Sequence, residues 1–80
     1  MNTDELDVQF CSSNSVLVIN PRGRLKLVYV PFPVYRKELV DGIRTRFIVD
    51  EVRSTQEDRL VYVINGKAYF HHLFYIEVSF

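Results

Sequence analysis

Along most of this chain apolar and polar residues alternate with a period near two, the spacing of side chains on a strand. The first clear run is "SVLVINPRGRLKLVYV". Two β-branched stretches flank Asn20-Pro21-Arg22-Gly23. Proline presets φ at the second position of a type I turn and glycine takes a left-handed position after it, so a three-residue hairpin with a glycine bulge is expected between strands at 15–20 and 24–30. On the second strand Leu25, Leu27 and Tyr29 share one face, with Lys26, Val28 and Val30 on the other. Upstream, "VQF" gives a short strand around Val8 to Phe10. The segment 1–14 is otherwise acidic, then small and polar, and reads as partly mobile ahead of a single domain at 15–80.

Beyond Val30 the pattern breaks. Pro31 and Pro33 cannot donate to a ladder, so 31–42, "PFPVYRKELVDG", reads as a long, partly structured excursion ending in the Asp41-Gly42 turn. "IRTRFIVDEV" resumes the alternation as one strand, with Arg44, Arg46 and Ile48 on one face. "RSTQEDR" is hydrophilic and reads as a loop. "LVYVINGKAYF" is the clearest hairpin, since Asn65-Gly66 between two apolar runs signals a type I′ turn. "HHLF" has room for a single tight turn, and "YIEVSF" alternates as a last strand.

Composition agrees with an all-β domain. Of 80 residues 48% are hydrophobic, with six Phe and five Tyr but no Trp, and aromatic and β-branched side chains suit a pleated, half-buried surface. A chain this short buries only about 60% of its unfolded surface, so it needs a very apolar core or help from a partner. Ten basic and ten acidic side chains balance, which argues against generic binding to nucleic acid or anionic membranes but leaves room for a local patch. No apolar run approaches the roughly 20 residues of a membrane helix. The single cysteine, Cys11, allows no internal disulfide and no cysteine-based zinc site, and a lone thiol suits a reducing compartment. No basic-then-apolar leader is visible at the N-terminus. A cytoplasmic protein without membrane contact is the expectation.

Five or six short antiparallel strands with almost no helix must hide their edges, and a small barrel does so. The element order resembles a Src-homology-3-like barrel: strand, long first loop, strand, shorter loop, strand, tight distal hairpin, strand, a 3₁₀ turn near 71–74, and a last strand. In this alignment "LKLVYV" leads into "PFPVYRKELVDG", and the match covers about residues 25–80. The chain also resembles small barrel proteins of unknown role from bacteria and phage, through Gly66, Tyr69, Leu73-Phe74 and Glu77-Val78. An oligonucleotide-binding barrel without its helix is the other small-barrel option. Shared fold at this level carries no function. The peptide-binding form of the resembled family uses a tryptophan and an acidic loop; this chain has no Trp and carries "YRKE" in its loop.

Candidate chemistry is sparse. His71 and His72 are adjacent, so their side chains diverge, while a metal needs three or four converging ligands. A turn role is expected, with no metal, no cofactor and no small-molecule substrate. Cys11 has no neighbour that would activate it, and Asp50-Glu51 and Glu57-Asp58 are adjacent rather than facing across a cleft. No catalytic set emerges, and the chain is expected not to be an enzyme. The apolar "VYVPFPVY" and the two-faced "VLVI" instead suggest an outer surface covered by the N-terminal segment, by another copy of the chain or by a different protein. A protein-binding surface of Tyr29, Phe32, Val34, Tyr35 and Tyr69 is expected, for a protein partner or a second copy in a homodimer. The alternative is a nucleic-acid-binding surface of Arg22, Arg24, Arg44 and Arg46 with tyrosines between them.

Overall fold

The computed structural model describes residues 6–80. Among these residues nine strands and one 3₁₀ turn follow in order: β1 Asp7–Ser12, β2 Ser15–Ile19, β3 Leu25–Tyr29, β4 Phe32–Arg36, β5 Arg46–Val49, β6 Glu51–Ser54, β7 Leu60–Ile64, β8 Lys67–Phe70, the turn His71–Leu73, and β9 Phe74–Ile76. They form three antiparallel sheets of three strands, ordered β1-β2-β3, β5-β4-β9 and β6-β7-β8. The all-β expectation and the 3₁₀ turn hold. No sheet closes on itself, and the strand count exceeds the five or six expected.

The hairpins obey their turn residues. Asn65 and Gly66 take φ of 50° and 77°, the left-handed pair a type I′ turn requires. In the β2–β3 turn, Gly23 N–H donates to Asn20 O at 2.9 Å with Gly23 at φ 80°. Asn20 locks that turn from inside: its Oδ1 accepts from Arg22 N–H at 3.0 Å and from Arg24 N–H at 2.9 Å. β1 runs longer than expected and pairs along β2, with its register shift between Phe10 and Ser12. The expectation of mobility for 1–14 falls partly on residues 1–5, which lie outside the described residues.

The principal correction is at 31–42. Phe32–Arg36 is not a loop but the central strand of the second sheet, paired with β5 on one side and β9 on the other. Proline is tolerated there because of where its missing donor would point. Arg36 N–H donates to Thr45 O on the β5 side, whereas Pro33 O accepts from Glu77 N–H on the β9 side. The absent Pro33 N–H would lie on that same second side, facing Glu77 one residue past the end of β9, so the proline forfeits one bond at the last rung and none to β5. Residues 37–45 then make a hairpin-like arm, tipped by Asp41-Gly42 between the bridged residues Val40 and Ile43.

"IRTRFIVDEV" is likewise two strands. At Asp50 the chain leaves the second sheet for the third: Asp50 N–H donates to Val63 O at 2.9 Å and its Oδ2 accepts from Asn65 N–H at 3.0 Å. One bent strand thereby joins two sheets, and the first sheet lies against them, with Val52 N–H donating to Ser13 O. The core between the sheets is built from Val16, Val18, Phe32, Val34, Val49, Val52, Leu60, Tyr62, Ile64, Phe74 and Ile76.

Candidate functional site

The five residues expected to make one protein-binding surface are distributed over different environments. Alternation along β4 sends Phe32 and Val34 inward, to 3% and 0% exposure, and the Phe32 ring meets Tyr62 edge-on at 5.5 Å. These two belong to the core and present no surface. Tyr69 is half-buried, edge-on to Phe74 at 5.9 Å. Tyr35 is on the opposite side of β4 from Phe32, with its hydroxyl donating to Glu77 Oε2 at 3.2 Å. Only Tyr29, 63% exposed on β3, stands in solvent as expected.

Around Tyr29 there is a surface of another composition. In the first sheet, register places Leu17 opposite Leu27, Ile19 opposite Leu25, and Ser15 opposite Tyr29. Val16 and Val18, on the other face of β2, are fully buried against the core. The outer face therefore carries Leu17, Ile19, Leu25, Leu27 and Tyr29, with Leu25 62% and Leu27 40% exposed. This patch borders an open edge, because β2 is the only described strand beside β3. The sequence held its signal in the two-faced "VLVI" and in the shared face of Leu25, Leu27 and Tyr29, but the prolines drew the expected contact surface to the wrong strand.

The four arginines separate into two places. Register aligns Arg46 with Tyr35 and Tyr35 with Tyr75 across the outer face of the second sheet. The Arg44 guanidinium is 4.6 Å from the Tyr75 ring centre and the Lys37 ammonium 5.3 Å from it, so cations flank a tyrosine pair. Arg22 and Arg24 lie elsewhere, lining a groove of about 510 Å³ with Asn20, Val78 and Phe80.

His71 and His72 occupy the 3₁₀ turn, with rings 6.4 Å apart and nearly perpendicular. His71 is edge-on to Tyr62, whereas His72 stacks on Phe70, over which Arg59 sits at 3.9 Å. Burial holds the His71 pKa below the ordinary imidazole value; a hydrogen bond to the Leu60 backbone opposes this, His72 and Lys37 add to it, and Asp7 offsets part of it. Burial likewise raises the Tyr62 hydroxyl far above a free tyrosine. Among the described residues no group of three or more His, Cys, Asp or Glu converges as a metal site needs. Cys11 is exposed, at the register shift in β1. No described helix is long and apolar enough to cross a membrane.

Comparison with protein-family models, with curated proteins and with solved structures finds no match for this chain.

Proposed function

We propose that this chain is a small, non-enzymatic binding or assembly module that contacts protein through the outer face of its first sheet. The observation that carries this reading is the exposure of Leu25, Leu27 and Tyr29 side by side on a strand with an open edge. Scattered surface leucines need no explanation, but a contiguous apolar face beside an open strand edge is a contact surface or an aggregation hazard. The scaffold we propose is a Src-homology-3-like barrel to which β1–β3 are added. Its support is the order from β4 onward: strand, the 37–45 connection, a bent strand, the 55–59 loop, a strand, the Asn65-Gly66 hairpin, a strand, a 3₁₀ turn and a last strand. The barrel's first strand is then β4 rather than "LKLVYV".

A photo-crosslinking amino acid placed at position 27 in cells tests the contact, with position 53 as an exposed control, since the Arg53 side chain is 63% accessible. Discrete adducts at 27 and none at 53 support the reading; equal, diffuse labelling at both positions refutes it. A second reading rests on the Arg46-Tyr35-Tyr75 row with Arg44 and Lys37, a basic aromatic face suited to stacking and phosphate contact with single-stranded nucleic acid. Binding of a mixed single-stranded oligonucleotide that weakens steeply with salt, and that Arg46→Ala reduces, would favour it.

A further inference from the structure

We propose that the partner of the first sheet is a second copy of this chain, joined by antiparallel pairing of β3 with β3 about a two-fold axis at Leu27. This rests on the reading of the first sheet as a contact surface and names the partner of its open edge, with side chains meeting along the seam.

The backbone directions come first. Val30 N–H donates to Asn14 O, and Arg24 O accepts from Asn20 N–H, so the even-numbered residues of this strand bond towards β2. Alternation then turns the N–H and C=O groups of Leu25, Leu27 and Tyr29 to the open edge, and their side chains to the exposed outer face. The same three residues thus offer both the hydrogen bonds and the apolar contact.

Edges of this kind are ordinarily blunted by charge, proline, bulges or shortness. The other outer strands carry such devices. β1 has Asp7 and a register shift, β5 has Arg46, β6 has Glu51 and Arg53, β8 has Lys67, and β9 is three residues long. β3 has five residues in unbroken register with β2, and no charge or proline on its outer face. Its one charge, Lys26, points to the other side, where its ammonium bonds Ser79 O.

Self-pairing selects one register. Centred on Leu27, the strand sets Leu25 opposite Tyr29 of the second copy and Leu27 opposite itself, and Lys26 meets Val28. Three directly opposed pairs then exchange about six N–H···O bonds, and aliphatic residues face tyrosine across the seam. Centring on Lys26 would set two ammonium groups directly opposite, which is unfavourable. Centring on Val28 would bring Leu25 against Pro31, which has no donor. The turn at Asn20–Gly23 and Pro31 bound the strand to a length that its own copy matches.

Sedimentation of the purified chain and three variants tests this. Leu27→Pro removes a donor that faces the open edge and none that bonds β2, so it should give a folded monomer, shown by an unchanged far-ultraviolet spectrum. Leu27→Lys and Leu27→Glu should each weaken association by at least about a hundredfold, because like charges meet at the axis. Mixing those two should restore a heterodimer, since only at a two-fold does residue 27 face residue 27. A dimer that survives Leu27→Pro, or no rescue on mixing, overturns the pairing. A wild-type chain that stays monomeric at high concentration overturns self-association too, while a position-27 crosslink to a different protein would still leave the contact surface standing.

Discussion

Replacing Phe32 by Ala separates a core strand from a proline-bracketed loop. Phe32 is 3% exposed and its ring stands edge-on to Tyr62 at 5.5 Å. Phe→Ala in a core costs about 3–5 kcal/mol through lost transfer energy and the cavity left behind, of which about 0.5–1.5 kcal/mol belongs to the aromatic pair. A chain of 80 residues has a total stability of about 4–12 kcal/mol at ordinary per-residue values, so the substitution removes a large share of it. With a urea slope near 1 kcal/mol per molar for a chain this small, the midpoint should fall by about 3–5 M, or the native baseline should vanish. Phe32→Leu keeps the site measurable and should cost about 1–1.5 kcal/mol. Ile43→Ala is the comparison: this residue is 66% exposed at the tip of the 37–45 arm, and its loss should stay within about 0.5 kcal/mol. Tyrosine fluorescence and far-ultraviolet dichroism report unfolding, the chain having five Tyr and no Trp, at a dilution where association adds nothing. A cost below about 0.5 kcal/mol for Phe32→Ala, or equal costs at positions 32 and 43, would refute the placement of β4 in the core.

Further expectations concern the turns and the histidine. Asn20→Ala leaves two turn amides without their acceptor and should cost about 1–3 kcal/mol, whereas Asn20→Asp retains the oxygen and should cost clearly less; equal losses in urea titrations would contradict this. Gly66→Ala forces a side chain into φ 77° and should cost about 1–2 kcal/mol, read as a lower urea midpoint with an unchanged slope. For His71 the folded pKa lies below the unfolded value, so the unfolded chain binds more protons between the two and stability rises with pH there. The contribution of neutral His71 is present above the unfolded pKa and is lost as pH falls through the folded one. His71→Asn should flatten that part of a stability profile taken from pH 7 downward; an unchanged slope would show that another group governs it.

How much of this was legible depended on which force set each element. Turn chemistry is local, so Asn65-Gly66 and the Asn20–Gly23 turn could be read directly with the hairpins they close, and Asp41-Gly42 as a turn without its arm. Alternation is local too, and it correctly put Leu25, Leu27 and Tyr29 on one face. Proline misled, because the cost of Pro33 depends on where its N–H would point, and it points to the last rung beside β9, at Glu77, rather than into the β5 ladder. The same dependence hid the bend at Asp50, which is fixed by bonds to Val63 and Asn65 fourteen or so residues away. Once β4 became a core strand, Phe32 and Val34 left the expected surface, and the apolar excess had to be explained by the outer face of β2 and β3. Among the arginines, sequence spacing put Arg44 beside Arg46, but only cross-strand register could bring in Tyr75.

The most direct test of the account is residue-resolved amide exchange of β3 by NMR, at a dilute and a concentrated sample. An alternating pattern is expected when dilute. Lys26 and Val28, bonded to β2, exchange slowly, whereas Leu25, Leu27 and Tyr29, facing the open edge, exchange fast. On concentration those three should become protected together. Protection of all five amides in the dilute sample would mean the edge is already covered within one chain, and three amides that stay fast at every concentration would remove the second copy from the edge.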